Sequence, residues 1–399
     1  MKIAIIDADL IFNKKHRFPN LACMKISGYH KELGDIVTLK LDYENLELYD
    51  KVYISKVFIK TEIPYEPEDK TNKNENTIID WYKDNPLLKQ PNIEYGGTGF
   101  YYDKAPKLKN EIEHHMPDYH LYDDFVNEKI AQGGKPNDFK YYTDYSIGFV
   151  TRGCFRHCEF CVNKYYNGVC KHSLLNEFLD TTRKKICLLD DNFFGSPNWK
   201  ELLLELQNNG KHFQFKQGLD ERLLTDEKCE LLFKSKYDGD FIFAFDNIAD
   251  INIIRKNAYL IRHYCKNNGQ NIKFYVFCGF DRENKYDINF WINDIRDVFK
   301  RIFILSQYNF KPYIMRHENY RTSPLYGTYV NIACWVNQPN LFNNLSYHQF
   351  CEKDDLRKSG GKGISATWRY FKELERYNPS FKKYFDIIPK SLVKDYRNW

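Results

Sequence analysis

The sequence predicts an α/β protein: a six-unit (β/α) partial TIM-type barrel, preceded by a small Rossmann-like α/β domain and followed by a mixed C-terminal extension. Strand-like apolar runs alternate with helix-like runs six times in succession from about residue 145. A strand–helix–strand–strand pattern precedes them, and 399 residues suffice for two or three domains. We expect a Rossmann-like domain at 1–130, a core at 141–320 and the extension at 321–399.

The amino-terminal domain is predicted from short apolar runs. The expected strands are KIAIIDA (2–8), IVTLK (36–40), KVYISKVF (51–58) and the start of IEYGGTGFYY (93–102). Between the first two, Leu21, Met24, Ile26 and Tyr29 fall on one helical face, and Gly34 is the expected stop. The glycines of YGGTGF suit either a tight turn or a loop that faces a ligand.

Polar segments separate these elements. Residues 62–77 are polar with two prolines and are predicted to form a surface loop, and AQGGKPND (131–138) is predicted to link two domains.

The core is predicted as a repeated strand and helix pattern. The expected strands are YSIGFV (145–150), KICLLDD (185–191), HFQFKQG (212–218), DFIFAFD (240–246), IKFYVFCGF (272–280) and KPYIMR (311–316). The expected helices are 173–183, 198–208, 225–235, 250–267 and 287–307, with a later one at 366–377. SGGKG (359–363) lacks P-loop spacing and is predicted to be a turn. Closing a barrel would need eight strands, and chemistry in such folds collects at the carboxyl ends of the strands.

Composition excludes several classes of protein. The net charge of +5 is small and dispersed, so nucleic-acid binding is neither indicated nor excluded. The segment MKIAIIDADLIF carries two aspartates and is not expected to be a signal peptide, and no apolar run approaches a membrane span. We expect a cytoplasmic protein whose 11 cysteines are thiols or metal ligands.

Three of these cysteines lie close together at the end of the first core strand. Cys154, Cys158 and Cys161 have the spacing C-x3-C-x2-C in CFRHCEFC. Thiolates bind zinc or hold iron–sulfur clusters. A structural zinc site would need a fourth ligand such as His157 or Cys170. A cubane cluster held by three cysteines would leave one iron open to a substrate or cofactor.

This loop, placed after a first strand and before a β/α series, resembles the signature of the radical S-adenosylmethionine (radical SAM) superfamily. The resemblance covers about 145–320 and implies a [4Fe–4S] cluster on the three cysteines. It also implies reductive cleavage of S-adenosylmethionine to a 5′-deoxyadenosyl radical that abstracts hydrogen from a substrate. An electron donor such as flavodoxin or ferredoxin is implied as a partner, and the substrate is unknown.

The resemblance also suggests residues that contact S-adenosylmethionine. Phe160 matches an apolar position near the adenine, and Asp190, Asp191 and Asn192 end the second strand where many members bind the methionine ammonium group. The alternative interpretation of Asp191 and Asn192 is a helix N-cap. Gln217 and Arg222, with Asp220, follow the third strand, with a simple Asp–Arg ion pair as the alternative. Asp246 and Arg316 end strands four and six, and Cys278 is interpreted as a core residue.

The first domain loosely resembles the cobalamin-binding-type domains that precede many radical SAM cores. It lacks a D-x-H-x-x-G motif, and we expect a lid or docking surface that keeps the fold without cobalamin. Only Cys23 lies in that domain, and only Cys334 and Cys351 follow the core, so one cluster is expected. The competing functions are a cobalamin-dependent radical methylase and a non-enzymatic, metal-stabilised binding module.

The cysteine assignment yields a first prediction. Changing Cys154, Cys158 or Cys161 singly to alanine should abolish the iron–sulfur absorbance and reduce iron to the background level, because each thiolate is a ligand. Iron and sulfide are measured per chain after anaerobic reconstitution. Cys170→Ala and Cys278→Ala serve as controls and should keep the metal. Loss of metal from the Cys170 variant alone would contradict the open-iron arrangement.

Overall fold

The computed structural model describes residues 1–13, 15–66, 81–265 and 271–394, and the chain divides into two compact units. The first unit comprises Met1–Asp191 and Asn208–Phe213, and the second comprises Asn192–Gln207 and Gln214–Trp399. The first unit therefore contains the whole predicted amino-terminal domain together with the first two predicted core strands. The division into three domains at 1–130, 141–320 and 321–399 stays a prediction.

A four-stranded parallel sheet forms the amino-terminal part of the first unit. Its strands are β1 (Lys2–Asp7), β2 (Ile36–Lys40), β3 (Lys51–Ser55) and β4 (Ile93–Gly96), in the order β2-β1-β3-β4. Alternate residues of β1 lie on opposite faces: Ile3 and Ile5 pack in one apolar cluster, and Ala4 and Ile6 in another. Both faces of β1 are covered, which explains its continuous apolar run and confirms the α/β class.

The predicted helix after β1 spans Leu21–Glu32. It begins where the Asn20 side chain accepts hydrogen bonds from the backbone N–H groups of Ala22 and Cys23. It ends just before Gly34, whose φ of 82° suits glycine. Among the described residues of this unit, further helices are Ala8–Phe12, Thr98–Tyr101, Asn110–Glu113, Asp123–Ala131 and Lys140–Thr143.

The glycines after β4 serve a tight turn. Gly97 has a φ of 108°, and a Cβ atom there would lie 2.2 Å from the Lys56 carbonyl oxygen. A Cβ atom on Gly99 would lie 2.4 Å from the Lys56 Cγ atom. The close approach of the chain's own lysine therefore accounts for Gly97 and Gly99. Residues 62–66 carry no helix or strand, and residues 67–77 of the predicted surface loop lie outside the described residues.

The first two core strands also lie in the first unit. β5 (Tyr145–Gly148) is followed by a short antiparallel ribbon, β6 (Thr151–Arg152) with β7 (Cys170–Lys171). β8 (Lys185–Leu188) pairs in parallel with β5, and the sheet continues to β9 (His212–Phe215), which begins in the first unit.

The prediction of a helix at 173–183 is wrong. Only a 3₁₀ turn, Leu175–Glu177, forms there. The Asp180 side chain instead accepts hydrogen bonds from the Thr182 backbone N–H and hydroxyl, at 2.8 and 2.7 Å. Such local side-chain bonds compete with helix formation.

The second unit holds the later core strands. β10 (Phe241–Ala244), β11 (Ile272–Cys278) and β12 (Lys311–Arg316) form a parallel sheet in that order. Leu219, after β9, forms a single parallel bridge with Phe243. All six predicted strands are thus confirmed as elements, in two three-stranded sheets. The core helices are Trp199–Asn208, Asp226–Phe233, Ile251–Tyr264 and Ile288–Gln307, close to their predicted ranges. Residues 266 and 267 of the helix predicted at 250–267 lie outside the described residues.

The C-terminal residues add helices to the second unit: Tyr326–Val336, Pro339–Asn344, Tyr347–Ser359, Ala366–Tyr377 and Lys382–Phe385. Some of them pack on the Ile288–Gln307 helix, where the Phe299 ring stacks on Tyr384 with centroids 5.5 Å apart. The SGGKG turn is confirmed, and the Asp355 carboxylate accepts hydrogen bonds from the Gly363 and Ser365 N–H groups at 2.7 and 2.8 Å. This anchoring fixes the turn.

No helix in the described ranges has the length and apolar character needed to cross a membrane.

The turn after β4 provides a matched pair of substitutions. Gly97→Ala should lower the free energy of unfolding by about 2 kcal/mol or more, because it combines a left-handed backbone with a backbone clash. Gly96→Ala, one residue earlier, meets no atom within 4 Å and should be nearly neutral. Denaturant unfolding of both variants checks this. Equal stability of the two would show that the turn relaxes around the methyl group.

Candidate functional site

The loop that carries the three cysteines is closed at its base. The β6–β7 ribbon pairs Thr151 with Lys171 and Arg152 with Cys170. Inside the ribbon, a Cβ atom on Gly153 would lie 2.4 Å from the Gly168 carbonyl oxygen, and Gly153 has a φ of 96°. The two ends of the loop therefore touch at a position that only glycine can occupy.

Backbone N–H groups point at the sulfur atoms within this loop. The Cys154 Sγ accepts a hydrogen bond from the Arg156 N–H, and the Cys161 Sγ accepts one from the Asn163 N–H, both at 3.4 Å. The Cys161 N–H also donates to the Cys158 carbonyl oxygen at 2.9 Å, which forms a turn between the second and third cysteine. N–H donors stabilise negative charge on sulfur and tune the potential of a bound cluster. All three cysteines are half-buried.

The donor set fits an iron–sulfur cluster. Three cysteine sulfurs lie on one closed loop, and two of them accept N–H hydrogen bonds. Cysteine sulfurs are the ligands that such a cluster uses. Among the residues that the structure describes, no group of three or more His, Cys, Asp or Glu side chains is placed to hold a single metal ion. His157 has a φ of 48° and its Nδ1 atom lies 2.6 Å from the Lys164 carbonyl oxygen, so its ring fixes the loop backbone.

Two aspartates after β8 hold the chain on either side of Cys154. Buried Asp190 accepts hydrogen bonds from the Thr151 N–H and hydroxyl, both at 2.6 Å, and from the Val150 N–H at 3.3 Å. Burial raises the pKa of the Asp190 carboxyl to about 7, although these donors oppose the shift. The Asp191 carboxylate accepts from the Gly153 N–H at 2.8 Å and from the Asn163 Nδ2 at 2.7 Å.

The alternative interpretation of Asn192 as an N-cap is not confirmed. The 3₁₀ turn Phe193–Gly195 starts after Asn192, but the Asn192 side chain makes no capping hydrogen bond to it. Contact of Asp190, Asp191 or Asn192 with a cofactor stays a prediction.

Residues of the amino-terminal part of the chain contact the cysteine loop. The sequence did not predict these contacts. The Tyr102 hydroxyl donates a hydrogen bond to the carbonyl oxygen of Phe160 at 3.4 Å, and Asp103, whose side chain is fully buried, pairs with Lys164 at 2.9 Å. Tyr102 has a φ of 53° and a ψ of −120°, a strained conformation for a tyrosine. Phe160 is itself half-buried. The only sequence signal was the YGGTGFYY run that leads into Tyr102.

The remaining predicted residues lie in the second unit. The Asn192 Nδ2 lies 3.5 Å from an Asp220 carboxylate oxygen. The Arg222 guanidinium contacts Asp220 at 2.7 Å and Asp250 at 3.6 Å, which matches the ion-pair interpretation. Gln217 is exposed. Cofactor contacts by Gln217 and Arg222 stay predictions.

Other strand-end residues of this unit have mainly structural partners. Asp246 accepts a hydrogen bond from the Phe277 N–H at 3.3 Å, and burial raises the pKa of Asp246. The Arg301 guanidinium donates to the carbonyl oxygens of Phe245 and Phe277, each at 2.8 Å. The Arg316 guanidinium lies 4.5 Å from the Tyr320 ring centroid, and Cys278 is buried in the core as predicted.

Sequence reasoning missed Glu221, a carboxyl group that is only 2% exposed. Burial raises the pKa of Glu221 to about 8, and the neighbouring Asp220 adds to the effect. Its position inside QGLDER gave no sign that it turns inward.

No family model matches the chain, and no curated protein matches it. Among solved structures, the radical S-adenosylmethionine methyltransferase TsrM from Kitasatospora setae, with cobalamin and a [4Fe–4S] cluster bound, is 11% identical, with a TM-score of 0.46. That match covers 79% of this chain and 72% of TsrM. TsrM with tryptophan substrate and a SAM analogue (aza-SAM) bound is also 11% identical, with a TM-score of 0.45, and the match covers 78% of this chain and 72% of TsrM.

A third solved structure is the cobalamin-dependent S-adenosylmethionine radical enzyme OxsB with aqua-cobalamin bound. It is 12% identical with a TM-score of 0.37, and the match covers 79% of this chain and 49% of OxsB. The structures named here are thus all of radical S-adenosylmethionine proteins.

The buried carboxyl of Glu221 gives a pH prediction. Its native pKa of about 8 lies above the ordinary 4.5, so between these pH values the native state keeps a proton that the unfolded chain has lost. The wild-type free energy of unfolding should therefore fall as pH rises from about 4.5 to 8. Glu221→Gln stays neutral and should become more stable than the wild type across this window, by roughly 2–4 kcal/mol at its upper end.

Denaturant unfolding at several pH values measures this difference. The exposed Glu205→Gln is the matched control and should show no such trend. A pH-independent difference between Glu221→Gln and the wild type would mean that Glu221 is ionised in the native state at neutral pH.

Proposed function

We propose that this chain is a radical S-adenosylmethionine enzyme that acts on an unidentified substrate. The observation that carries the proposal is the closed loop with Cys154, Cys158 and Cys161, which follows a parallel strand and directs N–H groups at two of its sulfur atoms. We infer that these three thiolates hold one [4Fe–4S] cluster. The six observed strands are consistent with a partial TIM-type barrel, which is the finer architecture that we propose for them.

The cluster, when bound, supplies an electron and an open coordination position for reductive cleavage of S-adenosylmethionine. The chain's own residues hold this site. The ribbon Thr151–Arg152 with Cys170–Lys171 fixes the two ends of the loop. The N–H groups of Arg156 and Asn163 stabilise charge on sulfur, and the half-buried Phe160 offers an apolar surface beside the third cysteine.

In this proposal the amino-terminal domain is a docking surface for the cysteine loop. The support is local: Asp103 pairs with Lys164 at 2.9 Å, and Tyr102 donates to Phe160 at 3.4 Å. Both contacts lie on the loop residues around the third cysteine. Excluding water from this region would protect a reactive radical. This role needs no bound cobalamin, which separates the proposal from a cobalamin-dependent methylase.

Formation of 5′-deoxyadenosine tests the proposed function. The reconstituted wild-type chain should form it anaerobically from S-adenosylmethionine and a strong reductant. A bound, reduced cluster would supply the electron that breaks the carbon–sulfur bond, and without substrate the radical would take a hydrogen atom from the buffer or the protein. Cys158→Ala should form none, and Cys170→Ala should match the wild type. Liquid chromatography with mass spectrometry quantifies the product.

The same preparation distinguishes the alternatives. No product, together with stoichiometric zinc and no binding of S-adenosylmethionine, would support a structural metal site instead. Stoichiometric cobalt with methyl transfer would support the cobalamin-dependent methylase.

A further inference from the structure

The Asp191 carboxylate joins the two flanks of the cysteine loop. One oxygen accepts from the Gly153 N–H at 2.8 Å, immediately before the first cysteine. The other accepts from the Asn163 side-chain amide at 2.7 Å, two residues after the third cysteine. A single side chain, 12% exposed, thus connects residues that are ten positions apart in sequence and enclose all three thiols.

Asn163 connects the Asp191 carboxylate to a cysteine sulfur atom. Its side-chain amide donates to Asp191, while its backbone N–H donates to the Cys161 Sγ at 3.4 Å. The position of this N–H group therefore depends on a side chain that Asp191 holds. The Arg152 Nε lies 3.9 Å from the same carboxylate and partly balances its charge.

We infer that Asp191 is a positioning residue that clamps the cysteine loop in its cluster-binding form before any metal arrives. The inference rests on the proposed function only for the identity of the metal group. It departs from the role that the sequence suggested, in which Asp191 would accept the ammonium group of S-adenosylmethionine. Hydrogen bonds to a charged acceptor are strong enough to order a short loop, and an ordered loop loses less entropy when three thiolates bind.

The geometry permits a reciprocal exchange of the two side chains. Asp191→Ala removes both anchors. Asn163→Asp places two carboxylates at 2.7 Å and should break the clamp from its other end. In the double variant Asp191→Asn with Asn163→Asp, the new asparagine oxygen accepts from Gly153, and its amide donates to the new aspartate. Both hydrogen bonds of the clamp are then restored, and donor and acceptor are exchanged only in the bond between positions 163 and 191. Asp138→Ala, at an exposed carboxylate, is the control.

The first measurement uses the metal-free full-length chain. Hydrogen–deuterium exchange of peptides that cover 150–168 should become about tenfold faster or more in Asp191→Ala and in Asn163→Asp. The double variant should return to within about twofold of the wild type, and Asp138→Ala should not change. Circular dichroism confirms that each variant is folded, and if Asp191→Ala does not fold, Asn163→Asp and its rescue carry the test.

The second measurement follows the reconstituted protein. The two single variants should retain less than about half of the wild-type iron after desalting, and the double variant should retain the wild-type amount. The midpoint potential of the cluster remaining in Asn163→Asp should be more negative than in the wild type, because the N–H donor to Cys161 is displaced and a negative charge is added. If Asp191 and Asn163 acted only in folding, the midpoint potential would not shift in Asn163→Asp and then return to the wild-type value in the double variant.

Three results would overturn the inference. Asp191→Ala with normal exchange and iron but no binding of S-adenosylmethionine would make Asp191 a cofactor contact. Wild-type behaviour of Asn163→Asp would show that the loop does not depend on the clamp, and failure of the double variant would show that Asp191 acts through another partner. Since the exchange measurement needs no metal, it stands even if the wild type forms no 5′-deoxyadenosine, so failure of the clamp and failure of the proposed function are distinguishable.

Discussion

The register between β5 and β8 is the constraint on which the candidate site depends. Parallel pairing places Gly148 opposite Leu188, and the ladder ends with the Leu189 N–H donating to the Gly148 carbonyl oxygen at 2.9 Å. This register brings Asp190 beside Val150 and Thr151, and Asp191 beside Gly153. A slip of one residue would turn each side chain to the opposite face of the sheet and separate both carboxylates from the loop.

Tight packing holds this register. A Cβ atom on Gly148 would lie 2.3 Å from the ring of Phe178, so β5 and the segment after β7 approach as closely as glycine allows. The Tyr119 hydroxyl accepts a hydrogen bond from the Ile147 N–H at 2.8 Å, which ties the same strand to the preceding part of the first unit. The segment after β7 thus packs directly on β5, where the sequence pattern suggested a regular helix.

The amino-terminal part of the first unit contributes to the same site through contacts of a different kind. The strained backbone of Tyr102 and the buried carboxylate of Asp103 both meet the segment between Phe160 and Lys164. Backbone strain persists where surrounding contacts fix it, and such strain often marks a functional site. The clamp by Asp191 and the docking by Asp103 therefore hold one loop from two directions.

The sequence by itself determined most of the helices and strands, and it indicated the chemistry that we propose for the thiols. Apolar periodicity predicted the six core strands and most of the helices, because the buried side of a strand or helix consists of apolar residues at a regular spacing in the sequence. The spacing of Cys154, Cys158 and Cys161 indicated a metal site, because ligands on one loop are local in sequence. Only the tertiary structure decided the roles of the acidic residues. Asp190 and Asp191 acquire partners almost forty residues away, Asp103 acquires a partner sixty-one residues away, and Glu221 turns inward. A carboxylate has the same sequence signature whether it binds a ligand, anchors a loop or faces solvent, and long-range contacts alone distinguish these roles.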